Sequence, residues 1–131
     1  MRNVTAARLL WIAATDNTWE RVTVAGEDAL SGKCIHCGRR LTLKPSGEPI
    51  SQATIEHIVP RTHGGTDALD NLAIACFRCN AGKGHRHDHK RWTDPKLQAV
   101  IETLRTRRAQ RWREPPDGWD LPRRPDDRNT M

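Results

Sequence analysis

The chain has no tyrosine, a single phenylalanine and five tryptophans, and only 36% of its 131 residues are hydrophobic. A core drawn from so few large side chains is marginal, and small domains of this kind often recruit a metal. No stretch is apolar for long enough to cross a membrane, which takes about 20 residues. The apolar patch at residues 9–14 follows Arg8 and is too short for a signal peptide, so a cytoplasmic protein with reduced thiols is expected. Internal repeats are missing, and the length allows one small domain with extensions. Acidic excess is missing too. Lys and Arg number 22 against 16 Asp and Glu, and the formal charge of +6 favours a polyanionic partner.

Cysteine is scarce but patterned. Four residues form two Cys-x-x-Cys pairs, Cys34 with Cys37 and Cys76 with Cys79, separated by the 38 residues 38–75. Secreted disulfide scaffolds usually carry more cysteines at less paired spacings. A redox pair or inert buried thiols are the plainer alternatives. The two pairs suit a tetrahedral zinc site with four thiolate ligands, two from each knuckle. His36 lies between two of these ligands and is expected to point outward without ligating. The spacer is longer than in the simplest zinc ribbons, so the residues within it must form structure of their own.

Much of the remaining chemistry is packed into residues 53–84. The run 54–59 reads as a strand that sends Glu56 and Ile58 to one face and His57 and Val59 to the other. Pro60 ends it, and residues 61–71 form a turn-rich loop containing Gly64-Gly65. Residues 72–75 read as a second short strand, and 76–83 as a short helix stopped by Gly84. Outside this unit, residues 5–14 predict a first helix with Thr5 as a cap candidate, and 19–30 read equally as strand or helix. Residues 39–43 predict a short strand and 44–49 a turn leading back to the motif strand. Asp94-Pro95 opens a second long helix over 96–112. Leu97, Val100, Ile101 and Leu104 form its apolar stripe. Arg108 and Arg111 continue that face, so the helix is expected to dock with its first half and overhang with its second.

The order Glu56-His57, Pro60, Gly64-Gly65, Asn71-Leu72, Cys76-x-x-Cys79-Asn80-x-x-Lys83-Gly84 resembles the HNH nuclease motif, and Cys34-x-x-Cys37 matches its zinc-stapled members. The likeness covers residues 32–84, less than half of the chain. Two positions depart from the usual pattern: Glu56 stands where the family more often has Asp or His, and Asn80 where the third letter would be His. Both keep an oxygen donor. The resemblance implies an α+β fold, a small ββα-metal (His-Me finger) core with a four-cysteine zinc site, flanked by helices. The expected organisation is an N-terminal helical extension at 1–31, the nuclease core at 32–91, a basic helix at 92–113 and a tail without fixed structure at 114–131.

Hydrolysis of a phosphodiester needs a water made nucleophilic and positive charge for the developing negative charge. An imidazole, with its ordinary pKa near ~6.5, accepts a proton at physiological pH. A divalent metal acts as the Lewis acid. By resemblance, His57 is the general base, Glu56 and Asn80 hold a catalytic divalent ion (Mg²⁺ or Mn²⁺), and Asn71 ties down the loop that aims His57. Glu56 and His57 are strand neighbours, so they share one site only where the strand distorts or ends. Arg61, His63, Lys83, Arg107, Arg108 and Arg111 are expected to contact nucleic acid. The function so implied is a metal-dependent endonuclease cutting DNA rather than RNA by family precedent, with double-stranded DNA the expected partner, to leave 3′-hydroxyl and 5′-phosphate ends. A non-catalytic zinc-bound DNA-binding module is the alternative, and a ribonuclease a third reading. Nothing in the sequence identifies a protein partner.

Overall fold

Helix α1 spans Val4–Ala14. In this computed structural model, which describes residues 3–50 and 52–125, its N-cap is Asn3 rather than Thr5, and the Asn3 side chain accepts from the Ala6 amide at 3.2 Å. Asparagine is among the strongest N-caps, so the helix begins one residue before the threonine. Its inner face buries Leu9, Leu10, Ile12 and Ala13.

The ambiguous stretch after α1 is a β-hairpin. Strands β1 (Glu20–Val24) and β2 (Glu27–Lys33) are joined at Ala25 and Gly26, whose φ angles are 52° and 82°. Two left-handed residues give the turn whose twist matches its strands. Strand β3 (Arg40–Leu43) pairs with β2 to complete a three-stranded antiparallel sheet. Gly32 lies under the buried Trp19 indole, and a Cβ there would come within 2.2 Å of the ring. The largest side chain in the core therefore depends on the smallest residue in β2.

The second sheet is the pair β4 (Ala53–His57) and β5 (Leu72–Cys76), antiparallel, with Ala53 opposite Cys76 and His57 opposite Leu72. Every residue of β5 is buried. Helix α2 (Phe77–Lys83) follows directly. Gly84 does not stop it: φ −56° and ψ −44° are right-handed helical, and the chain winds on through a π-helical turn, Gly84–Asp88. Lys83 bonds Asp88 across that turn at 2.8 Å and stabilises the wider winding.

Helix α3 (Pro95–Arg111) starts as its sequence predicts, with Asp94 accepting from the Lys96 amide at 2.8 Å. It does not overhang. Arg108 is 2% exposed and lies on the same buried stripe as Leu97, Ile101 and Leu104. Its guanidinium donates to the Thr15 carbonyl and hydroxyl and to the Leu72 carbonyl, each at 2.8 Å, and to the Leu69 carbonyl at 3.3 Å. Arg113 donates to the carbonyls of Ala13, Ala14 and Trp19. The last carbonyls of a helix have no partner within it, and here arginines from the far end of the chain supply them for α1. Burial pulls the Arg108 pKa down to about 10, which leaves it a cation at neutral pH.

Beyond α3, residues 113–125 pack back against α1 and β1. The Trp11 indole donates to the Pro122 carbonyl at 2.7 Å, Arg21 donates to the Gly118 carbonyl, and Arg113 stacks over Trp119 at 5.3 Å. Residues 126–131, the end of the expected unstructured tail, lie outside the described residues. No described helix is long and apolar enough to cross a membrane.

Replacing Arg108 strands several buried acceptors, each costing about 1–3 kcal/mol when left unpaired. Arg108→Ala should lower unfolding stability by roughly 3 kcal/mol or more by denaturant titration. Arg105→Ala, at an exposed position of the same helix, should change it by less than ~0.5 kcal/mol.

Candidate active site

The first knuckle reaches the second sheet through the Ile35 amide, which donates to the Ile74 carbonyl at 2.9 Å. That contact brings the sulfurs of Cys34, Cys37, Cys76 and Cys79 within 4.8 Å of one another. Backbone amides already point at them. His36 N and Cys76 N approach the Cys34 sulfur at 3.4 and 3.3 Å, and Arg39 N approaches the Cys37 sulfur at 3.4 Å. The Arg39 amide pulls the Cys37 pKa down to about 7, whereas burial pushes Cys34 up and desolvation pushes Cys79 up to about 12. Four crowded thiols cannot all ionise without a cation among them. A set of four soft sulfur donors this close together fits zinc.

On β4 successive side chains face opposite ways. Thr54 and Glu56 face α2, where Asn80 donates its amide to the Thr54 hydroxyl at 3.0 Å and the Ile55 carbonyl at 2.8 Å. Glu56 is 1% exposed. One of its oxygens lies 2.5 Å from His36 Nε2 and the other 3.4 Å from Lys83 Nζ. Lys83 also donates to Asp88 at 2.8 Å and to the His57 carbonyl at 3.0 Å. His36 turns inward to Glu56, because the knuckle is folded against β4. Lys83 is 2% exposed and cannot track a nucleic-acid backbone, since two carboxylates hold it inside. Glu56 and Asn80 remain hard oxygen donors on one face of the strand, suited in kind to Mg²⁺ or Mn²⁺. A divalent ion there has to compete with the Lys83 ammonium.

His57 is on the other face, at the last position of β4. Its Nε2 lies 2.7 Å from Asp67 Oδ1. Arg61 approaches the same carboxylate oxygen at 3.2 Å, and Arg8 of α1 approaches Asp67 Oδ2 at 3.3 Å. The hydrogen bond from His57, then the charges of Arg8 and Arg61, hold the Asp67 carboxyl below the usual range. Asn71 closes the loop that carries these groups. Its side chain accepts from Val59 N at 2.9 Å and donates to Val59 O at 3.2 Å and Thr66 O at 2.8 Å. A Cβ at Gly65 would fall 1.7 Å from the Val59 carbonyl, so only glycine lets the loop close this tightly. Asp67 was not singled out by sequence; its position two residues after the Gly-Gly turn, inside the span that Asn71 closes, was the available signal. A cavity of about 600 Å³ opens behind the loop, between Gly65, Asn71, Arg105 and Trp112, and neither His57 nor Glu56 lines it.

The structure therefore does not bring His57 onto one face with Glu56 and Asn80. The expected basic contacts also divide. Arg61 is exposed, and the His63 ring packs against Trp92 with centroids 5.7 Å apart. Arg107 donates to the carbonyls of Ile35 and His36 at 3.0 and 2.8 Å, and Arg111 to Lys33 at 3.1 Å with Asp16 at 3.8 Å. With Arg108 buried, these three arginines serve the protein's own carbonyls, because the knuckle and the end of α1 lie within their reach. Exposed cations remain at Arg78, Arg86 and Arg91, beside the exposed rings of Phe77 and Trp92.

A metal held by ligands from two knuckles couples binding to folding, since the unfolded chain has no preformed site. Elemental analysis should find about one zinc per chain. Cys76→Ser should lose it together with the folded circular dichroism spectrum, and metal-free protein with four titratable thiols and an unchanged spectrum would contradict the assignment.

Residues 34–86 match the HNH endonuclease family. Over 54 residues the chain is 37% identical to the CRISPR-associated endonuclease Cas9 of Corynebacterium diphtheriae, a span that covers 40% of this chain and 4% of that protein. No solved structure matches. The segment matched to the HNH endonuclease family carries both Cys-x-x-Cys pairs, Glu56, His57, Asn71 and Asn80.

Proposed function

We propose that the chain is an endonuclease that hydrolyses phosphodiester bonds of DNA, with His57 as general base. The observation that carries this reading is the His57 imidazole, fixed at the end of β4 inside a loop closed by Asn71. A base must be held within hydrogen-bond reach of the water it activates, and a clamped loop supplies that positioning. His57 takes the proton of the attacking water, the new P–O bond forms, and the bond to the leaving oxygen breaks. Glu56 and Asn80 would hold the divalent ion, which polarises the phosphoryl oxygens and stabilises the leaving oxygen when bound. Asn80 donates its amide nitrogen to Thr54 and Ile55 of β4, and those bonds do not use its carbonyl oxygen. The zinc site has no part in the chemistry and holds the unit together.

The substrate reading rests on charge. The formal charge is +6, and with Lys83, Arg107, Arg108 and Arg111 engaged internally, Arg78 on α2 and Arg86 and Arg91 just after it in the chain are exposed cations. Each arginine that neutralises a phosphate releases counterions and adds about 0.9 to the slope of log affinity against log salt. Replacing Arg78, Arg86 and Arg91 together by alanine should flatten that slope by up to ~2.7, measured on a duplex oligonucleotide. An unchanged slope would place the binding face elsewhere.

Removing a general base typically costs about 10²–10⁴-fold in rate. His57→Ala should fold, keep its zinc and bind DNA as the parent does, while losing nicking of a supercoiled plasmid by that factor with Mg²⁺ or Mn²⁺. A parent that nicks under no divalent metal, or a His57→Ala variant that cuts at the parental rate, would leave the binding-module reading in its place.

A further inference from the structure

His57 meets an ionic cluster that the HNH motif alone does not specify, and one of its members comes from outside the matched segment. Asp67 Oδ1 lies 2.7 Å from His57 Nε2. A carboxylate and a bare imidazole lone pair repel at that distance, so a proton lies between them and Nε2 carries it. Arg61 Nε also approaches this nitrogen, at 3.3 Å. That contact is the longer one, and Arg61 places its other nitrogen 3.2 Å from Asp67 Oδ1. Arg8, one-fifth exposed on α1, reaches the second oxygen at 3.3 Å. Asp67 is thus held from two sides by cations on two different elements. It cannot swing away from His57 without breaking both pairs. The two arginines also keep it charged, which is the state that accepts a hydrogen bond.

We propose that Asp67 is the positioning residue for His57: it accepts the Nε2 proton, fixes the imidazole in that tautomer, and leaves Nδ1 as the nitrogen that takes the proton from water. Arg8 is the second support, acting through Asp67, which makes α1 part of the active site. The inference rests on His57 being the base. Its direct consequence is a defined tautomer, readable whether or not the protein cuts DNA. A carboxylate behind the ring also stabilises the imidazolium formed when Nδ1 is protonated, so its removal affects the chemical step and not substrate capture.

The test uses the full zinc-loaded chain labelled with ¹⁵N-histidine, with the His57 signals identified by their absence in His57→Ala. Long-range ¹H–¹⁵N spectra of the parent should show His57 protonated at Nε2. In Asp67→Ala that tautomer preference should be lost, kcat for plasmid nicking should fall by about 10–100-fold, and KM should stay within about threefold. Asp67→Glu should recover part of kcat, and Arg8→Leu should shift kcat in the same direction by a smaller factor. Circular dichroism and zinc content identify any variant that fails to fold, and Arg8→Leu tests the same cluster from a separate element. A parent protonated at Nδ1 would overturn the proposal, as would an Asp67→Ala variant that keeps the Nε2 proton and the parental kcat. Faster cutting with a lowered KM would overturn it too, since Asp67 would then only be blocking an anion site. Should the parent cut nothing, the base assignment falls, while the tautomer comparison still decides whether Asp67 orients the ring.

Discussion

Four sulfurs drawn within 4.8 Å of one another close a loop of 38 residues and fix the first knuckle against the second sheet. The loop is long, and closing it costs chain entropy that a core with no tyrosine, and with the single phenylalanine left at the surface, offsets poorly. Once the knuckles meet, Ile35 bonds to β5, and the knuckle carbonyls face α3, where Arg107 and Arg111 take them up. His36 is carried inward by the same fold and meets Glu56. The cysteine cluster therefore does more than stabilise: it presents β4 to the rest of the chain in one orientation.

Arginine replaces bulk in what the core lacks. A buried cation costs free energy unless its donors are satisfied, and Arg108 places four of its five N–H donors on Thr15, Leu69 and Leu72. Those acceptors sit at the end of α1 and at the entry to β5. The contact thus joins the N-terminal helix, the motif loop and α3 at one point. Arg113 repeats the device one turn on, at Ala13 and Ala14. A basic helix read as reaching outwards is a basic helix turned inwards.

The elements that sequence revealed are those with a short-range physical signal. The β4–β5–α2 unit is marked by strand alternation, Pro60, the Gly-Gly turn and the cysteine spacing, and it is found where those signals place it. The hairpin of β1 and β2 lay in a stretch with mixed propensity, decided by two left-handed residues at the turn. What sequence hid was side-chain direction over long separations. Arg108 follows Leu97, Ile101 and Leu104 at helical spacing, which was the clue that it shares their buried face. No local pattern could show that its partners would be carbonyls of residues 15, 69 and 72. Lys83, His36 and Asp67 escaped for the same reason, since each is defined by a partner on another element.

Strand alternation leaves the site with two polar clusters on opposite faces of β4, and the question is how they act together. Glu56 stands with His36, Lys83 and Asp88 on the α2 side, and His57 with Asp67, Arg61 and Arg8 on the other. The two meet at the backbone. Lys83 bonds the Glu56 carboxylate and, through the same ammonium, the His57 carbonyl. Immediately beyond, the Ile58 amide is held by the Asn71 carbonyl, and the Asn71 side chain fixes Val59. The strand end is therefore pinned on both sides of the His57 peptide, by a lysine before the corner and an asparagine after it. A change in charge at Glu56 alters the pull on Lys83, and Lys83 holds the backbone carbonyl of His57, next to the Cα that carries the ring. Two neighbours that cannot share a face on a regular strand are coupled through the backbone between them.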